Sequence, residues 1–257
     1  MRALQPRSAP PASPKVYLAD LFGGTGGVAR HATQLGLQGR VWDVCLSPHL
    51  DITLPRCRHV LVQDAHAGLL QAVMLAPECR SWSNARARTN AIRSKTEPWG
   101  VAFPSKPLTA NDIAALKSGN KQVRAVISLL RVFDRLKIPW ALENPRSSYL
   151  WATPEFLQMA NYPWIETRRI DQCAFGTAWK KSTLLMFSRC EVECLRILDS
   201  KVCCASGVCH YTKKPHIQLI GNMPGSGRPW TAHAQTYPPG LAHCLATILV
   251  SSAQSES

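Results

Sequence analysis

A glycine-rich turn is the first part of the sequence whose residues could do chemistry. The segment 20–27 reads DLFGGTGG and lies between a short apolar run and an amphipathic stretch. Glycines at such a turn let the backbone fold tightly and approach a ligand, since no Cβ is in the way. Asp43 ends the next apolar run, 19 positions after Gly24, where a carboxylate could hold ribose hydroxyls. The glycine turn and Asp43 together favour a nucleotide-type cofactor. The alternative is a strand-to-helix turn that binds nothing.

The order of these glycines argues against two familiar nucleotide motifs. It reads GGxGG, which fits the dinucleotide pattern GxGxxG poorly, and the absence of a lysine excludes a P-loop. A nicotinamide enzyme is therefore the least favoured interpretation of the turn.

Cys79 and Glu143 are the candidate catalytic residues. Cys79 closely follows the apolar run 72–76, and Glu143 directly follows the run 138–142. A thiolate can act as a nucleophile and a carboxylic acid as a proton donor, so together they could perform covalent catalysis. The alternative is a buried, inert Cys79 and a Glu143 in a surface ion pair, because the reactivity of a cysteine depends on its surroundings.

The stretch 190–216 contains five cysteines and two histidines. They are Cys190, Cys194, Cys203, Cys204, Cys209, His210 and His216. Cys203, Cys209 and His216 could form a tetrahedral structural zinc site, with Cys190 or Cys194 as the fourth ligand. The spacings are not the usual C-x2-C pairs, and inert thiols beside a solvated histidine are the alternative.

Five short apolar runs precede the residues named above and must position them. They are 15–19 before Asp20, 40–42 before Asp43, 59–63 before Asp64, 72–76 before Pro77 and Cys79, and 138–142 before Glu143. Helical spacing lies between them, most clearly at Val126, Leu129, Leu130, Phe133 and Leu136. Short strands alternating with amphipathic helices predict a Rossmann-like α/β fold, a mainly parallel sheet with helices on both faces. Ligands bind at the carboxyl ends of such strands, where these polar residues fall.

Composition narrows the classes of protein and partner. Of 257 residues, 46% are hydrophobic and 18% are charged, which excludes a wholly disordered chain, a collagen and a coiled coil. Thirty Lys and Arg against sixteen Asp and Glu give a formal net charge of +14, which favours a polyanionic partner, although an acidic protein or a membrane surface would also suit it. No run approaches the ~18 apolar residues of a membrane helix. The N-terminus lacks the apolar run of a secretory signal, so the ten cysteines indicate a reducing compartment.

The segment DLFGGTGG (20–27) resembles the first motif of the S-adenosylmethionine-dependent cytosine-5 methyltransferases, which reads D-L-F-x-G-x-G-G. The resemblance implies their fold and their cofactor. It implies that Phe22 and the loop pack against the methionine and adenine parts, that Asp43 binds the ribose and that Asp64 lies near the adenine. The other residues it assigns to the cofactor are Asp20, Gly24, Gly26 and Pro77.

Two later segments resemble catalytic motifs of the same family, in the same order. Residues 76–86 (APECRSWSNAR) resemble its Pro-Cys loop, closest to a divergent branch that reads A-P-P-C-x-x-F-S-x-A-R, and 143–145 (ENP) resembles its Glu-Asn-Val motif. The resemblance implies that Cys79 adds to ring carbon 6 of a flipped cytosine, that Glu143 is the acid at ring nitrogen 3 and that Asn144 orders the loop. Amino-methylating enzymes would need an Asn/Asp-Pro-Pro-aromatic run, which the sequence lacks.

The sequence departs from the family's motifs at two positions. Glu78 stands where a proline normally precedes the catalytic cysteine, and Pro145 replaces the valine of the Glu motif. A neighbouring carboxylate raises the pKa of a thiol, while Arg80 acts in the opposite direction. These departures keep open a catalytically silent protein of the same fold.

A basic loop is expected to hold the nucleic acid. Residues 80–96 contain five Lys and Arg and no acid until Glu97. Arg86 and Arg88 are the candidates for phosphate contacts, Asn144 is grouped with them, and a solvated charged surface is the alternative. Residues 171–187 resemble the motif before the family's target-recognition region, and 230–237 resemble its terminal motifs. The short stretch between them predicts weak sequence specificity.

These observations predict a tail (1–14), a catalytic core (15–188), a Cys-rich recognition and terminal elaboration (189–250) and a polar tail (251–257). The expected function is methyl transfer from S-adenosylmethionine to the 5-position of cytosine in DNA. RNA methylation and a silent module that binds nucleic acid or cofactor are the alternatives. A structural zinc ion is a candidate second cofactor, with inert thiols as its alternative, and no membrane partner is expected. The expected location is intracellular, nuclear or nucleoid-associated if DNA is the substrate, and not secreted.

Overall fold

Strands and helices alternate along the chain in a computed structural model that describes residues 15–84, 91–104, 106–203 and 207–255. The strands in these ranges are β1 (Tyr17–Leu21), β2 (Gln38–Trp42), β3 (Leu70–Leu75), β4 (Trp140–Pro145), β5 (Ile165–Asp171) and β6 (Ser182–Ser188). The α-helices are α1 (Gly27–Gln34), α2 (Pro55–His66), α3 (Ala110–Arg135), α4 (Pro154–Met159), α5 (Val192–Leu195), α6 (Trp230–His233) and α7 (Pro239–Ser255). The predicted tail 1–14 and residues 256–257 lie outside the described residues.

The six strands form one sheet in the order β2-β1-β3-β4-β6-β5. Strand β1 is parallel to both neighbours, and β3 is parallel to β4. Strand β6 runs antiparallel between β4 and β5. The Rossmann-like α/β fold expected of an S-adenosylmethionine-dependent methyltransferase, with a mainly parallel sheet and helices on both faces, is confirmed.

Alternating strand residues divide the core into two layers. Tyr17, Ala19 and Leu21 of β1 pack with buried residues of α2 and α3 on one face. Leu18, between them, packs with α1 and α7 on the other face. This period of two is what a strand buried on both sides requires.

The longest helix, α3, begins at a reciprocal cap. The Thr109 hydroxyl accepts a hydrogen bond from the Asp112 amide (3.1 Å), and the Asp112 carboxylate accepts one from the Thr109 amide (3.0 Å). Such a capping box satisfies two amides that would otherwise lack partners. The predicted helical face is confirmed at Val126, Leu129 and Phe133, which are buried against the sheet.

Two predictions about elements are wrong. The run 59–63 is part of helix α2, not a strand. Pro55 at its first turn is the helix-start signal, and Cys57, Leu61 and Ala65 recur every four residues and are buried. The predicted polar tail from residue 251 is also mostly helix, because α7 continues through Ser255. No helix among the described residues is long and apolar enough to cross a membrane.

Candidate active site

The carboxyl ends of four parallel strands meet at one edge of the sheet. Leu21 at the end of β1 pairs with Trp42 of β2 and with Leu75 of β3, and Leu75 pairs with Leu142 of β4. The residues just beyond these positions are the glycine turn, Asp43, the cysteine loop and Glu143. The structure therefore brings most of the predicted site residues together, as ligand sites in open α/β sheets require.

The glycine turn bends through three backbone conformations with positive φ. Phe22 (φ 60°), Gly24 (53°) and Gly26 (68°) all adopt it, which costs least at glycine. Gly24 is exposed, and a Cβ added there would meet no atom within 4 Å. The turn therefore has an open side at which a ligand can approach the backbone.

Asp43 faces this turn from the end of β2. Its Oδ2 accepts a hydrogen bond from the Gly24 amide (2.9 Å), and its Oδ1 accepts one from the Cys45 amide (2.7 Å). A carboxylate at this place fits the ribose-binding role implied by the family resemblance.

Asp20 lies beneath the turn rather than on its open side. It is buried, and its Oδ2 accepts a hydrogen bond from the Ala29 amide in the first turn of α1 (3.1 Å). A Cβ on Gly23 would lie 2.7 Å from the Asp20 Cγ, so the chain wraps closely around this carboxyl group. Burial raises the pKa of Asp20 to about 7. Asp20 thus shapes the turn from below.

Asp64 is at the opposite edge of the sheet. It lies on α2, where its Oδ2 accepts a hydrogen bond from the Tyr17 hydroxyl (2.7 Å) and is 3.8 Å from the Arg40 guanidinium. Tyr17 begins β1, so this cluster is at the amino ends of the strands. The placement of Asp64 near a cofactor's adenine is therefore wrong, and the reason is the misassigned strand 59–63.

The cysteine loop is held to β4 by a side chain that was expected to contact nucleic acid. Asn144 is fully buried, and its Nδ2 donates to the Pro77 carbonyl (3.1 Å). It therefore orders the loop, which was its other expected role, and its burial contradicts its grouping with the nucleic-acid contacts. Farther along, the Tyr149 amide donates to the Trp82 carbonyl (2.9 Å), a second tie between the loop and the chain beyond β4.

Glu78, the residue that departs from the family's motif, makes contacts within the loop. Its carboxylate accepts a hydrogen bond from the Ser81 amide (3.1 Å), and its own amide donates to the Gln122 side chain on α3 (3.2 Å). The Trp82 amide donates to the Cys79 carbonyl. The loop is therefore a closed turn in which Glu78 stands where a proline would otherwise stiffen the backbone.

Arg93, one of the cations of the predicted nucleic-acid-binding loop 80–96, has a structural role instead. Its side chain is buried, its guanidinium lies 3.5 Å over the Trp82 ring, and it donates to the Ser81 carbonyl, the Pro98 carbonyl and the Asn120 side chain. Burial lowers its pKa to about 10. Arg93 therefore connects the cysteine loop to α3. Arg86 and Arg88 lie outside the described residues.

Glu143 is buried between two residues that the sequence reasoning missed. Its Oε2 accepts a hydrogen bond from the Tyr237 hydroxyl (3.2 Å), and its Oε1 lies 3.6 Å from Lys181 Nζ. Both residues belong to segments matched to family motifs, 171–187 and 230–237, but nothing local marked them as facing Glu143. The antiparallel pairing of β6 with β4 brings Lys181 there.

A large cavity opens at this edge and has a volume of about 1330 Å³. Cys79 lines it, as do five cationic side chains: Arg80, Lys95, Arg146, Arg169 and Lys181. No Asp or Glu is among the described residues that line it. Clefts lined by one sign of charge concentrate ligands of the opposite sign, so the cavity suits a polyanion.

The thiol of Cys79 is protonated at neutral pH in this structure. Burial raises its pKa to about 11; Lys181 lowers it, while Glu143 and Glu78 raise it. Lys181 is therefore the cation that favours the thiolate at this site.

A separate cluster of Cys and His side chains brings four possible ligand atoms together. Cys173, Cys203, Cys209 and His216 have their sulfur and nitrogen atoms all within 4.8 Å of one another, a group that could hold a metal ion. Three of the predicted ligands are therefore brought together, and the fourth is Cys173.

The expectation of Cys190 or Cys194 as the fourth ligand is wrong. Cys190 lies against the Trp140 and Ser188 carbonyls, and Cys194 contacts the Glu191 carboxylate. His210 is exposed, and Cys204 lies outside the described residues.

Comparisons with known proteins give only distant likenesses. No protein-family model matches the chain, and no curated protein sequence matches it. Among solved structures, it is similar to a triple mutant of Spodoptera frugiperda DNMT2, with 12% identity and a TM-score of 0.38. That alignment covers 84% of this chain but only 57% of that one.

A second similar structure is the Entamoeba histolytica methyltransferase EhMeth. The identity is 11%, the TM-score is 0.39, and the alignment covers 94% of this chain and 97% of that one. Both TM-scores are below 0.5, so neither likeness decides what this chain does.

Proposed function

We propose that the chain transfers a methyl group from S-adenosylmethionine to the 5-position of cytosine in DNA, with Cys79 as nucleophile and Glu143 as acid. One observation supports this most strongly: the Asn144–Pro77 hydrogen bond joins the cysteine loop to the strand that carries Glu143. Lys181, which lines the cavity beside Cys79, is at the same time 3.6 Å from Glu143.

The glycine turn fits the proposed cofactor. Its open side at Gly24 lies next to Asp43, and its backbone is already in the conformation that a close approach requires. Phe22, Gly24, Gly26, Asp43 and Pro77 would hold the cofactor, and Asp20 would support the turn from below. When bound, S-adenosylmethionine supplies an electrophilic methyl group on a sulfonium sulfur.

Cys79 would do the covalent step. Its thiolate adds to ring carbon 6 of cytosine, forming a C–S bond and moving the ring's electron pair toward carbon 5, which becomes nucleophilic. Once carbon 5 carries the methyl group, its proton leaves to a base and the thiolate departs, which restores the ring's double bond. Lys181 would stabilise the thiolate both before it attacks and when it departs, since it lowers the pKa of Cys79.

Glu143 would stabilise the charge that develops on the ring. In its protonated form it would donate to ring nitrogen 3, as a group already held in place before the base arrives. Tyr237 holds one carboxyl oxygen by donating to Oε2, and the other oxygen, Oε1, which lies 3.6 Å from Lys181 Nζ, would contact the base. Oε1 is buried and accepts no hydrogen bond from the described residues.

The cavity would hold the nucleic acid. Its volume of about 1330 Å³ exceeds the roughly 300–1,000 Å³ typical of a small-ligand pocket, which leaves room for an extruded nucleotide and its flanking phosphates. Arg80 and Lys95 are exposed enough to neutralise phosphates, which position a duplex without reading its sequence. Phosphate contacts do not distinguish deoxyribose from ribose, so the experiment below tests RNA as well as DNA as the substrate.

One observation favours a second candidate, a silent module that binds nucleic acid. Burial, with smaller contributions from the Glu143 and Glu78 carboxylates, raises the Cys79 pKa to about 11, which leaves little thiolate unless the bound substrate changes the surroundings. This candidate predicts binding without transfer.

Labelled S-adenosylmethionine separates these functions. We expect label to enter cytosine in a DNA duplex, and we expect Cys79→Ala to abolish transfer while Cys194→Ala, at a half-buried thiol far from the cavity, retains it. A duplex containing 5-fluorocytosine should form a stable adduct on Cys79, because fluorine at carbon 5 cannot leave as a proton does. If label enters RNA but not DNA, RNA is the substrate and the proposal for DNA is wrong. Binding without transfer or adduct would support the silent module.

A further inference from the structure

The segment 200–233 has almost no apolar core. Among its described residues, only Cys203 and Cys209 are buried. Four of its apolar side chains are exposed: Val202, Val208, Ile217 and Ile220. A stretch of this kind cannot be held in place by hydrophobic burial, and small units of this kind usually depend on disulfides or metals.

Its two buried cysteines meet two further ligands. Cys203 Sγ lies 4.0 Å from Cys209 Sγ and 3.7 Å from His216 Nε2. Cys173, from the single 3₁₀ turn after β5, completes the group. A tetrahedral zinc ion with Zn–S bonds of about 2.3 Å places its sulfur ligands about 3.8 Å apart, close to the separation of these two sulfur atoms. A disulfide, with sulfur atoms about 2 Å apart, is excluded at this distance.

Two backbone amides donate hydrogen bonds to the cysteine sulfur atoms, an arrangement that stabilises thiolates. The His210 amide donates to Cys203 Sγ (3.3 Å), and the Thr212 amide donates to Cys209 Sγ (3.4 Å). Three thiolates and a zinc ion leave one net negative charge. Lys180 lies beside the cluster, where its Nζ donates to the Cys203 carbonyl (3.0 Å) and is 3.8 Å from the Asp171 carboxylate. Outer contacts of this kind orient ligands and tune a metal site.

We infer that Cys173, Cys203, Cys209 and His216 bind a structural zinc ion, which holds residues 207–216 against the end of β5. Thiolate and imidazole ligands favour zinc, and four protein ligands leave no open position for catalysis.

This site would also position one wall of the cavity. Directly after His216 the chain is tied to the loop that precedes β6, because the Ile217 amide donates to the Ala178 carbonyl (2.8 Å). It then supplies six residues to the cavity lining: Leu219, Pro229, Thr231, Ala232, Ala234 and Gln235. The Ala234 carbonyl accepts a hydrogen bond from Lys181 (3.2 Å). Zinc would therefore act on the cavity only through the fold of this segment.

Metal content is the direct test, and it does not depend on methyl transfer. We expect protein purified under reducing conditions with zinc present to contain about one zinc per chain. Cobalt substitution should give thiolate-to-metal absorption and the intense visible bands of tetrahedral cobalt. A zinc content near zero in wild-type protein would overturn the inference.

Two matched variants test the ligand set. Cys173→Ser should weaken zinc binding at least 100-fold, whereas Cys194→Ser should leave it unchanged. Retention of full affinity in Cys173→Ser would also overturn the inference. If Cys173→Ser does not accumulate, wild-type protein treated with a strong chelator answers the same question: cleavage by a protease should then appear within 200–233 while the rest of the chain stays intact. Unchanged cleavage after the metal is removed would contradict the folding role.

Discussion

The glycine turn and the cysteine loop lie side by side at the same edge of the sheet, but different contacts hold them. The turn is shaped by its own backbone, with positive φ at Phe22, Gly24 and Gly26. Its partners are near in sequence: the Asp20 carboxylate beneath it is bonded to Ala29, nine positions away. A local stretch of sequence therefore contains nearly all of the information needed to form it.

The cysteine loop is held by side chains from distant parts of the chain. Asn144 binds the Pro77 carbonyl from 67 positions away, and Gln122 binds the Glu78 amide from 44 positions away. Arg93 reaches the Ser81 carbonyl and the Asn120 side chain. The conformation of the loop therefore depends on α3 and β4, so damage to those contacts should displace Cys79 without altering the turn.

Among the changes that separate the cysteine loop from the glycine turn, removal of the Arg93 guanidinium should reduce the free energy of unfolding the most. Arg93→Met leaves the Ser81 and Pro98 carbonyls and the Asn120 side chain without their donor in a buried place, so we expect a loss of about 3–5 kcal/mol in the free energy of unfolding. Urea unfolding measures it. Arg80→Met, at an exposed arginine of the same loop, should leave stability unchanged and weaken DNA binding. Equal stability losses in both variants would mean that the buried contacts do not support the loop.

A methyl group added at Gly119, on the face of α3 that packs against the cysteine loop, should have the next largest effect on stability. Alanine normally stabilises a helix relative to glycine by about 1 kcal/mol, but a Cβ at Gly119 would lie 2.2 Å from Ser81 Oγ and 3.1 Å from the Trp82 indole nitrogen. We therefore expect Gly119→Ala to destabilise the protein by about 1–3 kcal/mol, as measured by thermal unfolding. Ser118→Ala, on the exposed side of the same turn, is the control. Stabilisation by Gly119→Ala would show that the loop does not pack here.

The same contrast explains which parts of the site the sequence could predict. The glycine turn, Asp43, Cys79 and Glu143 follow apolar strand runs, and strand ends converge by topology alone. Asp64 was misplaced because a short apolar run is compatible with either a strand or a buried helix. There, only Pro55 and the spacing of buried residues in α2 favour the helix.

Residues that act across the sheet gave no local signal. Lys181 and Tyr237 reach Glu143 only because β6 inserts antiparallel beside β4 and because the chain returns from the Cys/His cluster to the cavity. Cys173 was missed as a ligand for the same reason: it lies 30 residues before Cys203, in a segment that had been assigned to a family motif. Long-range pairing of this kind depends on the whole topology.

The pH dependence of stability tests the turn on its own. Because burial raises the folded-state pKa of Asp20 to about 7, its protonated form is favoured by folding. That contribution is fully present below the unfolded pKa of about 4 and is lost as pH rises through 7. We expect wild-type stability to fall by about 2 kcal/mol, relative to Asp20→Asn, between pH 5 and pH 8. Urea unfolding at both pH values measures the difference, and parallel curves for the two proteins would place Asp20 in contact with solvent.

The smallest expected effect is on the thiol itself, and it tests whether the cysteine loop depends on Lys181. Lys181 lowers the pKa of Cys79, so Lys181→Met should raise that pKa further and reduce the thiolate fraction at any given pH below it. Alkylation of Cys79, followed by peptide mass spectrometry between pH 8 and pH 10, should slow by up to about tenfold, as one pKa unit implies. Lys95→Met removes a cation from the same cavity without removing the one beside Glu143, so its alkylation rate should match that of wild type. If both variants slow equally, the general positive charge of the cavity, rather than the Lys181–Glu143 pairing, determines the state of the thiol.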